Sequence, residues 1–115
     1  MRQIRKLIFH CSDSDNRKHD NLVIIRGWHI GRGFSDIGYH FLILQNGTVL
    51  AGRPVSNQGA HCKGQNEDSI GICLTGRDKF TEAQFEAAQK LAMDLCWQFG
   101  LGNDQIFAHN IYYVK

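Results

Sequence analysis

The stretch LIFHCSDSD, residues 7–15, decides how the rest of the sequence is interpreted. Its apolar run ends at His10 and gives way to small polar and acidic residues, so KLIFHC is predicted to be a β-strand. The same pattern returns in IFAHNIYYVK, residues 106–115, where a short apolar run ends at His109. Loops that carry chemistry gather at the carboxyl ends of strands. If the two strands are neighbours in one sheet, both imidazoles project into one cleft with the spacing of zinc ligands. From the residues alone, a hydrogen-bonded structural histidine at each strand end is the more common alternative.

Further strands are predicted between these two. YHFLILQNGTVLAGR, residues 39–53, is the clearest hairpin, because Asn46 and Gly47 suit the positive backbone angles of a tight turn and both flanks are rich in strand formers. SIGICLTG, residues 69–76, is predicted to be a short buried strand. Strands separated by helices indicate an α/β fold, with a central mixed β-sheet flanked by helices.

Two helices are predicted. The first lies in NLVIIRGWHIG, and Ser14 or Asp15 in the preceding polar stretch is expected to cap it. The second lies in TEAQFEAAQKLAMDLCWQFG, where Thr81 and Gln84 fit a capping box. Residues at helical spacing form the expected core side of the first helix, namely Leu22, Ile25, Trp28 and His29. The corresponding residues of the second helix are Phe85, Ala88, Ala92, Leu95 and Phe99.

Size and charge favour a single small domain that acts on neither nucleic acid nor membrane. The 115 residues are expected to form one domain over 1–115, and a net charge of +2 with scattered Lys and Arg gives no nucleic-acid footprint. No apolar run reaches the length of a membrane span or of a signal-peptide core. We therefore expect a monomer that is synthesised in the cytoplasm without a signal peptide.

The four cysteines are expected to be reduced. They are far apart and contain no C-x-x-C pair, so they predict neither a zinc knuckle nor a disulfide scaffold. Free cysteine is commonly buried as a small hydrophobe, and Cys73 and Cys96 are predicted to lie in the core.

An ordered set of short motifs resembles one known family over almost the whole chain. The motifs are FHCS, WHIGRGFSDIGYHF, NGTVLAGRP, GAHCKGQNEDSIGICLTG, FTEAQ and AHN. Their order and spacing resemble the zinc-dependent N-acetylmuramoyl-L-alanine amidases of the phage-lysozyme type and the related peptidoglycan recognition proteins. The resemblance implies a mixed sheet flanked by helices, a Zn²⁺ cofactor, and a groove that holds the muramyl peptide of peptidoglycan. It implies hydrolysis of the amide between N-acetylmuramic acid and L-alanine, so the protein would act on the cell wall, as a phage lysin (endolysin), a prophage lysin or a bacterial remodelling enzyme.

The same resemblance assigns roles to individual residues. It implies that His10 and His109 are zinc ligands and that Tyr39 and Lys115 are catalytic. Oxyanion stabilisation is the role that such side chains would have. The positions expected to bind the glycan or the stem peptide are His29, Arg32, His61 and Asn66. From the residues alone, packing in the strand is the favoured interpretation of Tyr39 and a solvated charge that of Lys115. Arg32 could equally be a solvated loop cation.

Two neighbours of these residues are expected to point away from the site, because successive side chains of a strand alternate between its faces. Cys11 follows His10, so its side chain is not expected to act as a further zinc ligand beside that of His10. His40 follows Tyr39 and is expected to be a core residue on the opposite face.

The carboxyl end departs from the family pattern. Relatives continue beyond the residue matching Lys115 into a segment that supplies a third zinc ligand, a cysteine in many members, and then into a final helix. The sequence stops two residues before that ligand. A shortened form of a longer amidase is the favoured interpretation, and a member with a two-histidine site that binds muramyl peptides without efficient cleavage is the alternative.

Overall fold

The computed structural model of the chain describes residues 2–109. Its strands and helices are, in chain order, β1 (Lys6–Cys11), α1 (Leu22–Gly31), β2 (Phe41–Ile43), β3 (Val49–Ala51), β4 (Ser69–Leu74), α2 (Glu82–Phe99) and β5 (Ile106–Ala108). Short 3-10 turns, Arg17–His19 and Asn103–Gln105, lie before α1 and β5. All the predicted strands and both predicted helices are therefore confirmed.

The five strands form one mixed sheet in the order β3-β2-β4-β1-β5. Strand β1 pairs in parallel with β4 on one side and with β5 on the other. Strand β2 is parallel to β4, and only β3 runs antiparallel, as the second strand of the predicted hairpin. Gly47 has a φ of +86° in the turn of that hairpin, which explains why a glycine is suited to this position. The predicted mixed α/β sheet is confirmed.

One helix packs on each face of the sheet. On one face, Leu95 of α2 packs in a cluster with Leu7 and Ile70 of the central strands. On the other face, Ile25 of α1 packs with Leu42 and Cys73. Strand β4 contributes to both clusters and is buried along its entire length, as expected for a parallel strand covered on both sides. No helix within residues 2–109 has the length and apolar character needed to cross a bilayer.

The predicted cap of α1 is wrong. The cap is Asn21, whose side-chain oxygen accepts hydrogen bonds from the amides of Val23 and Ile24 at 2.8 and 3.2 Å. Ser14 instead contacts the imidazole of His19, and the Asp15 carboxylate accepts hydrogen bonds from the amides of residues 77–79. The 3-10 turn between this polar stretch and α1 displaces the start of the helix.

The predicted capping box of α2 is confirmed, but its predicted core side is wrong at Phe85. The Thr81 hydroxyl accepts a hydrogen bond from the Gln84 amide, and the Gln84 side chain accepts one from the Thr81 amide. Phe85 is 57% exposed, whereas Gln84 is fully buried. The Gln84 Nε2 group donates to the backbone oxygens of Ile43 and Thr75 at 3.1 and 2.8 Å. A buried polar side chain therefore ties α2 to the ends of β2 and β4.

The four cysteines are free, as predicted. Cys73 is fully buried, and Cys96 is partly buried and packs against the core cluster that contains Leu95. Cys62, in the loop before β4, is also buried.

We predict that Gln84→Leu destabilises the fold. The substitution keeps a buried side chain of similar size but removes the donor to two buried carbonyl groups, which should lower the free energy of unfolding by about 1–3 kcal/mol. Urea unfolding followed by circular dichroism measures this change. The matched control is Gln89→Leu on an exposed position of the same helix, which should change the free energy of unfolding by no more than about 0.5 kcal/mol. Equal stabilities of the two variants would contradict a structural role for Gln84.

Candidate active site

Two histidines lie side by side at the carboxyl ends of neighbouring parallel strands. His10 is the fifth residue of β1, and His109 directly follows β5. The His109 amide donates a hydrogen bond to the Phe9 carbonyl at 2.9 Å, which continues the pairing of β1 with β5. The centroids of the two imidazole rings are 4.4 Å apart. The structure therefore brings together the two predicted metal ligands on one face of the sheet.

Tyr39, the predicted catalytic tyrosine, lies beside this pair. Its ring centroid is 5.1 Å from that of His10 and 5.1 Å from that of His29. Burial raises the pKa of the Tyr39 phenol well above its ordinary value, and the neighbouring Cys73 thiol raises it further. The phenol is therefore neutral at physiological pH and is a hydrogen-bond donor.

His61, predicted to bind substrate, contacts His10 directly. Its Nδ1 atom is 2.8 Å from the Nε2 atom of His10, and the two rings meet nearly at right angles. The Asn66 side-chain oxygen accepts hydrogen bonds from the amides of His61 and Cys62, both at 2.9 Å. Both residues are predicted to bind the substrate, but these contacts hold both side chains within the protein.

His29 and Arg32, also predicted to bind substrate, differ in their surroundings. His29 is buried, and its Nδ1 atom accepts a hydrogen bond from the Gly38 amide at 2.7 Å. This contact fixes the imidazole against Tyr39 and leaves only Nε2 for another partner. Arg32 is exposed at the carboxyl end of α1 and lines the same groove.

The predicted orientation of His40 is wrong, although the residue is in the core as expected. The ring centroid of His40 is 5.8 Å from that of His61, so His40 belongs to the same group of imidazoles. Its Nδ1 atom accepts a hydrogen bond from the Gly71 amide at 3.0 Å, and its Nε2 atom lies 2.8 Å from the Asn57 carbonyl. Strand β2 begins only at Phe41, so the alternation of a strand does not apply to residues 39 and 40.

These side chains line one continuous groove. It contains the members of the predicted site that the structure describes, which are His10, His29, Arg32, Tyr39, His61, Asn66 and His109. The residues that line the groove also include Ile106 and Ala108 of β5 and exposed apolar residues of α2, among them Trp97, which is 90% exposed. Lys115, the remaining predicted catalytic residue, lies outside the described residues.

Comparison with known proteins identifies the family. A family model described as N-acetylmuramoyl-L-alanine amidase matches residues 1–115. The chain belongs to this family. The resemblance inferred from the motifs is thereby confirmed.

Relatives include both phage enzymes and animal recognition proteins. The endolysin of Escherichia phage T7 is 40% identical over 97 residues, which are 77% of this chain and 64% of that endolysin. Peptidoglycan-recognition protein SC1a of Drosophila melanogaster is 36% identical over 96 residues, which are 76% of this chain and 52% of that protein. The solved structure of N-acetylmuramoyl-L-alanine amidase LysC from Clostridium intestinale URNW superposes with a TM-score of 0.87 at 26% identity, covering 96% of this chain and 72% of that one. The chain thus spans about two thirds of the phage endolysin.

Burial keeps the imidazoles of this amidase-family site neutral. Desolvation, followed by the neighbouring imidazoles, lowers the pKa of His10 to about 2. Burial is also the main cause that lowers the pKa of His61 to about 3 and that of His40 to about 4. Burial lowers the pKa of His109 as well. Neutral imidazoles retain a lone pair, which is the form in which histidine binds a metal ion.

The donor set fits a metal ion in part. His10 and His109 supply two adjacent neutral imidazoles, which suit zinc. Within residues 2–109, no group of three His, Cys, Asp or Glu side chains is arranged to hold a metal ion. Cys11, the neighbour of His10, is exposed and does not complete the set.

We predict that the metal-free chain loses stability as the pH falls below about 6.5. The three most strongly shifted histidines, His10, His40 and His61, have lower pKa values when folded than the ordinary value of 6.5. The unfolded chain therefore binds more protons below about pH 6.5, and each group lowers the free energy of unfolding by up to about 1.4 kcal/mol per pH unit.

Urea unfolding in EDTA at about pH 7.5, 6 and 5 measures this slope. The stability that comes from keeping His40 neutral is fully present above about pH 6.5. It is lost as the pH falls towards 4, where His40 also becomes protonated in the folded chain. His40→Gln should give a shallower slope because one titrating group is removed. A free energy of unfolding that stays constant over this range would refute the neutral, buried state of these imidazoles.

Proposed function

We propose that the protein is a zinc-dependent N-acetylmuramoyl-L-alanine amidase that degrades peptidoglycan, in the manner of a phage endolysin. One observation carries the proposal: the rings of His109 and Tyr39 both lie against the ring of His10, at the carboxyl end of β1 and inside a groove. Membership of the amidase family supports the reaction class, and the phage endolysin among the relatives supports the cell wall as the place of action.

His10 and His109 are the proposed metal ligands among the described residues. A bound zinc ion supplies a water of lowered pKa and polarises the scissile carbonyl. The remaining protein ligand of a three-ligand catalytic site would come from outside residues 2–109, because no third donor is arranged beside this pair within them. The neutral state of both imidazoles means that neither has to lose a proton before it binds the ion.

Tyr39 is the proposed donor to the transition state. When water adds to the carbonyl carbon of the lactyl amide, negative charge develops on the carbonyl oxygen, and the neutral phenol can donate a hydrogen bond to it. The C–N bond then breaks, the lactyl group keeps the new carboxylate, and the L-alanine amine leaves with a proton. Lys115 is proposed as a second cation or donor for the same oxyanion.

The proposed substrate is the muramyl peptide of peptidoglycan. Arg32 is exposed at one side of the groove, where its guanidinium can bind a stem-peptide carboxylate with two parallel hydrogen bonds. His29 is proposed to contribute through Nε2, since its Nδ1 atom is occupied by the Gly38 amide. His61 and Asn66 are the weaker candidates for direct contact, because their polar atoms bind partners within the protein.

A binding module without efficient cleavage is the second candidate. Its support is the two-histidine donor set of residues 2–109 and the presence of a peptidoglycan recognition protein among the relatives. Such a module would keep the groove and Arg32 but would turn over its ligand slowly or not at all.

Incubation with purified peptidoglycan distinguishes the two candidates. We expect new L-alanine amino termini to appear, with no new reducing sugar ends, and we expect EDTA to abolish the reaction and zinc to restore it. Saturable binding to peptidoglycan without release of L-alanine amino termini would establish the binding module. Release of sugar ends alone would rule out the amidase.

We predict that Tyr39→Phe lowers turnover while the zinc content stays unchanged. The variant keeps the ring that packs against His10 and His29 and removes the phenol hydroxyl together with its contact to the Cys73 thiol. Loss of one oxyanion donor should lower kcat by at least about tenfold and by up to about a thousandfold. Metal analysis of the purified variant is the internal control. Unchanged kcat would show that Tyr39 has only a packing role.

A further inference from the structure

We propose that Ser69 and His61 are positioning residues that keep the proton of the His10 imidazole on Nε2, so that Nδ1 presents its lone pair to the metal ion. The inference deepens the proposed function, on which it rests for the role of His10 as a ligand. It also reassigns His61, which the resemblance assigned to substrate binding. Three hydrogen bonds carry it.

The first hydrogen bond fixes the Ser69 hydroxyl. Ser69 is fully buried at the start of β4, and its Oγ atom lies 2.6 Å from the Gln65 carbonyl oxygen. A carbonyl oxygen can only accept, so the hydroxyl proton is donated to Gln65. The Ser69 Oγ atom then has only lone pairs to offer to a second partner.

The second hydrogen bond fixes the tautomer of His61. The Nε2 atom of His61 lies 3.2 Å from Ser69 Oγ, which must be the acceptor, so this nitrogen carries a proton and donates. A neutral imidazole has one N–H group, and His61 is buried among other imidazoles, where a second proton would leave an uncompensated charge. The Nδ1 atom of His61 is therefore an acceptor.

The third hydrogen bond makes the tautomer of His10 depend on that of His61. The Nε2 atom of His10 lies 2.8 Å from His61 Nδ1 and must donate to it. Two nitrogens bound to one tetrahedral zinc ion at about 2.0–2.1 Å would be about 3.4 Å apart, so the shorter separation is that of a hydrogen bond and not of two ligands. The proton of His10 is thus held on Nε2, and Nδ1 keeps its lone pair.

The surroundings hold the His61 ring in this position. The Asn66 side-chain oxygen accepts hydrogen bonds from the His61 and Cys62 amides, which fixes the backbone of the loop. Gly71 of β4 lies beneath the ring, where a Cβ atom would be only 2.5 Å from the Cγ and Cδ2 atoms of His61. Asn66, Ser69 and Gly71 therefore all act on His61, and His61 in turn orients the imidazole of His10.

Nitrogen NMR of the metal-free protein tests the relay directly. Long-range ¹H–¹⁵N spectra of ¹⁵N-histidine-labelled protein distinguish the two neutral tautomers, and we expect both His10 and His61 to be protonated on Nε2. In Ser69→Ala, His61 loses its acceptor, so both residues should become mixtures of tautomers. Zinc affinity, measured by competition with a chelator, should fall by about tenfold or more.

Matched variants separate the relay from general loss of structure. Ser14→Ala removes another serine–histidine contact, that of Ser14 with His19, and should change neither the His10 spectrum nor the zinc affinity. His61→Asn offers an oxygen in place of Nδ1 and should largely restore the affinity that His61→Leu loses. Retention of the remaining amide spectrum shows that each variant is folded.

The outcomes also distinguish the relay from the proposed function. A metal-free wild-type protein in which His10 is protonated on Nδ1 would overturn the relay, even if the protein cleaves peptidoglycan. Equal zinc affinities of wild type, Ser69→Ala and His61→Leu would overturn it too. Protonation of both residues on Nε2 in a chain that binds no zinc would support the relay and remove His10 from the list of metal ligands.

Discussion

The parallel pairing of β1 with both of its neighbours is the constraint on which the site depends. Pairing with β5 brings His109 beside His10 at the same edge of the sheet. Pairing with β4 brings His10 to the register of Cys73, beside the strand whose glycine, Gly71, accommodates the His61 ring. A slip of one residue in β1 would turn His10 to the other face, because side chains alternate along a strand. The apolar residues of β1 that fill the core thus also fix the direction of its histidine.

A large part of the fold and a smaller part of the site could be predicted from the sequence. His10 and His109 were predictable as a pair because strand periodicity and the direction of parallel strands fix where such residues lie. The contact of His61 with His10 could not be predicted, because a loop has no periodicity that sets the direction of its side chains. The error at Phe85 has a similar origin. Hydrophobicity favours burial of Phe85, but three hydrogen bonds to backbone groups make burial of Gln84 favourable instead.

Burial of the imidazoles costs hydration free energy, but it fixes the orientation of each ring. Each has left water, and hydrogen bonds to fixed partners offset the lost hydration. His29 accepts from the Gly38 amide, His40 accepts from the Gly71 amide, and His61 lies between Ser69 and His10. The rings are therefore oriented before any ligand arrives, which would suit the proposed role of the site.

The most direct test of the pairing of His10 with His109 is an anomalous-difference map at the zinc edge from crystals grown with zinc. We expect one strong peak between the two rings, about 2.0–2.1 Å from one nitrogen of each, with the His10 nitrogen being Nδ1. A zinc ion bound elsewhere in the groove, or one that contacts only one of these two histidines, would contradict the assignment of this pair as the metal site.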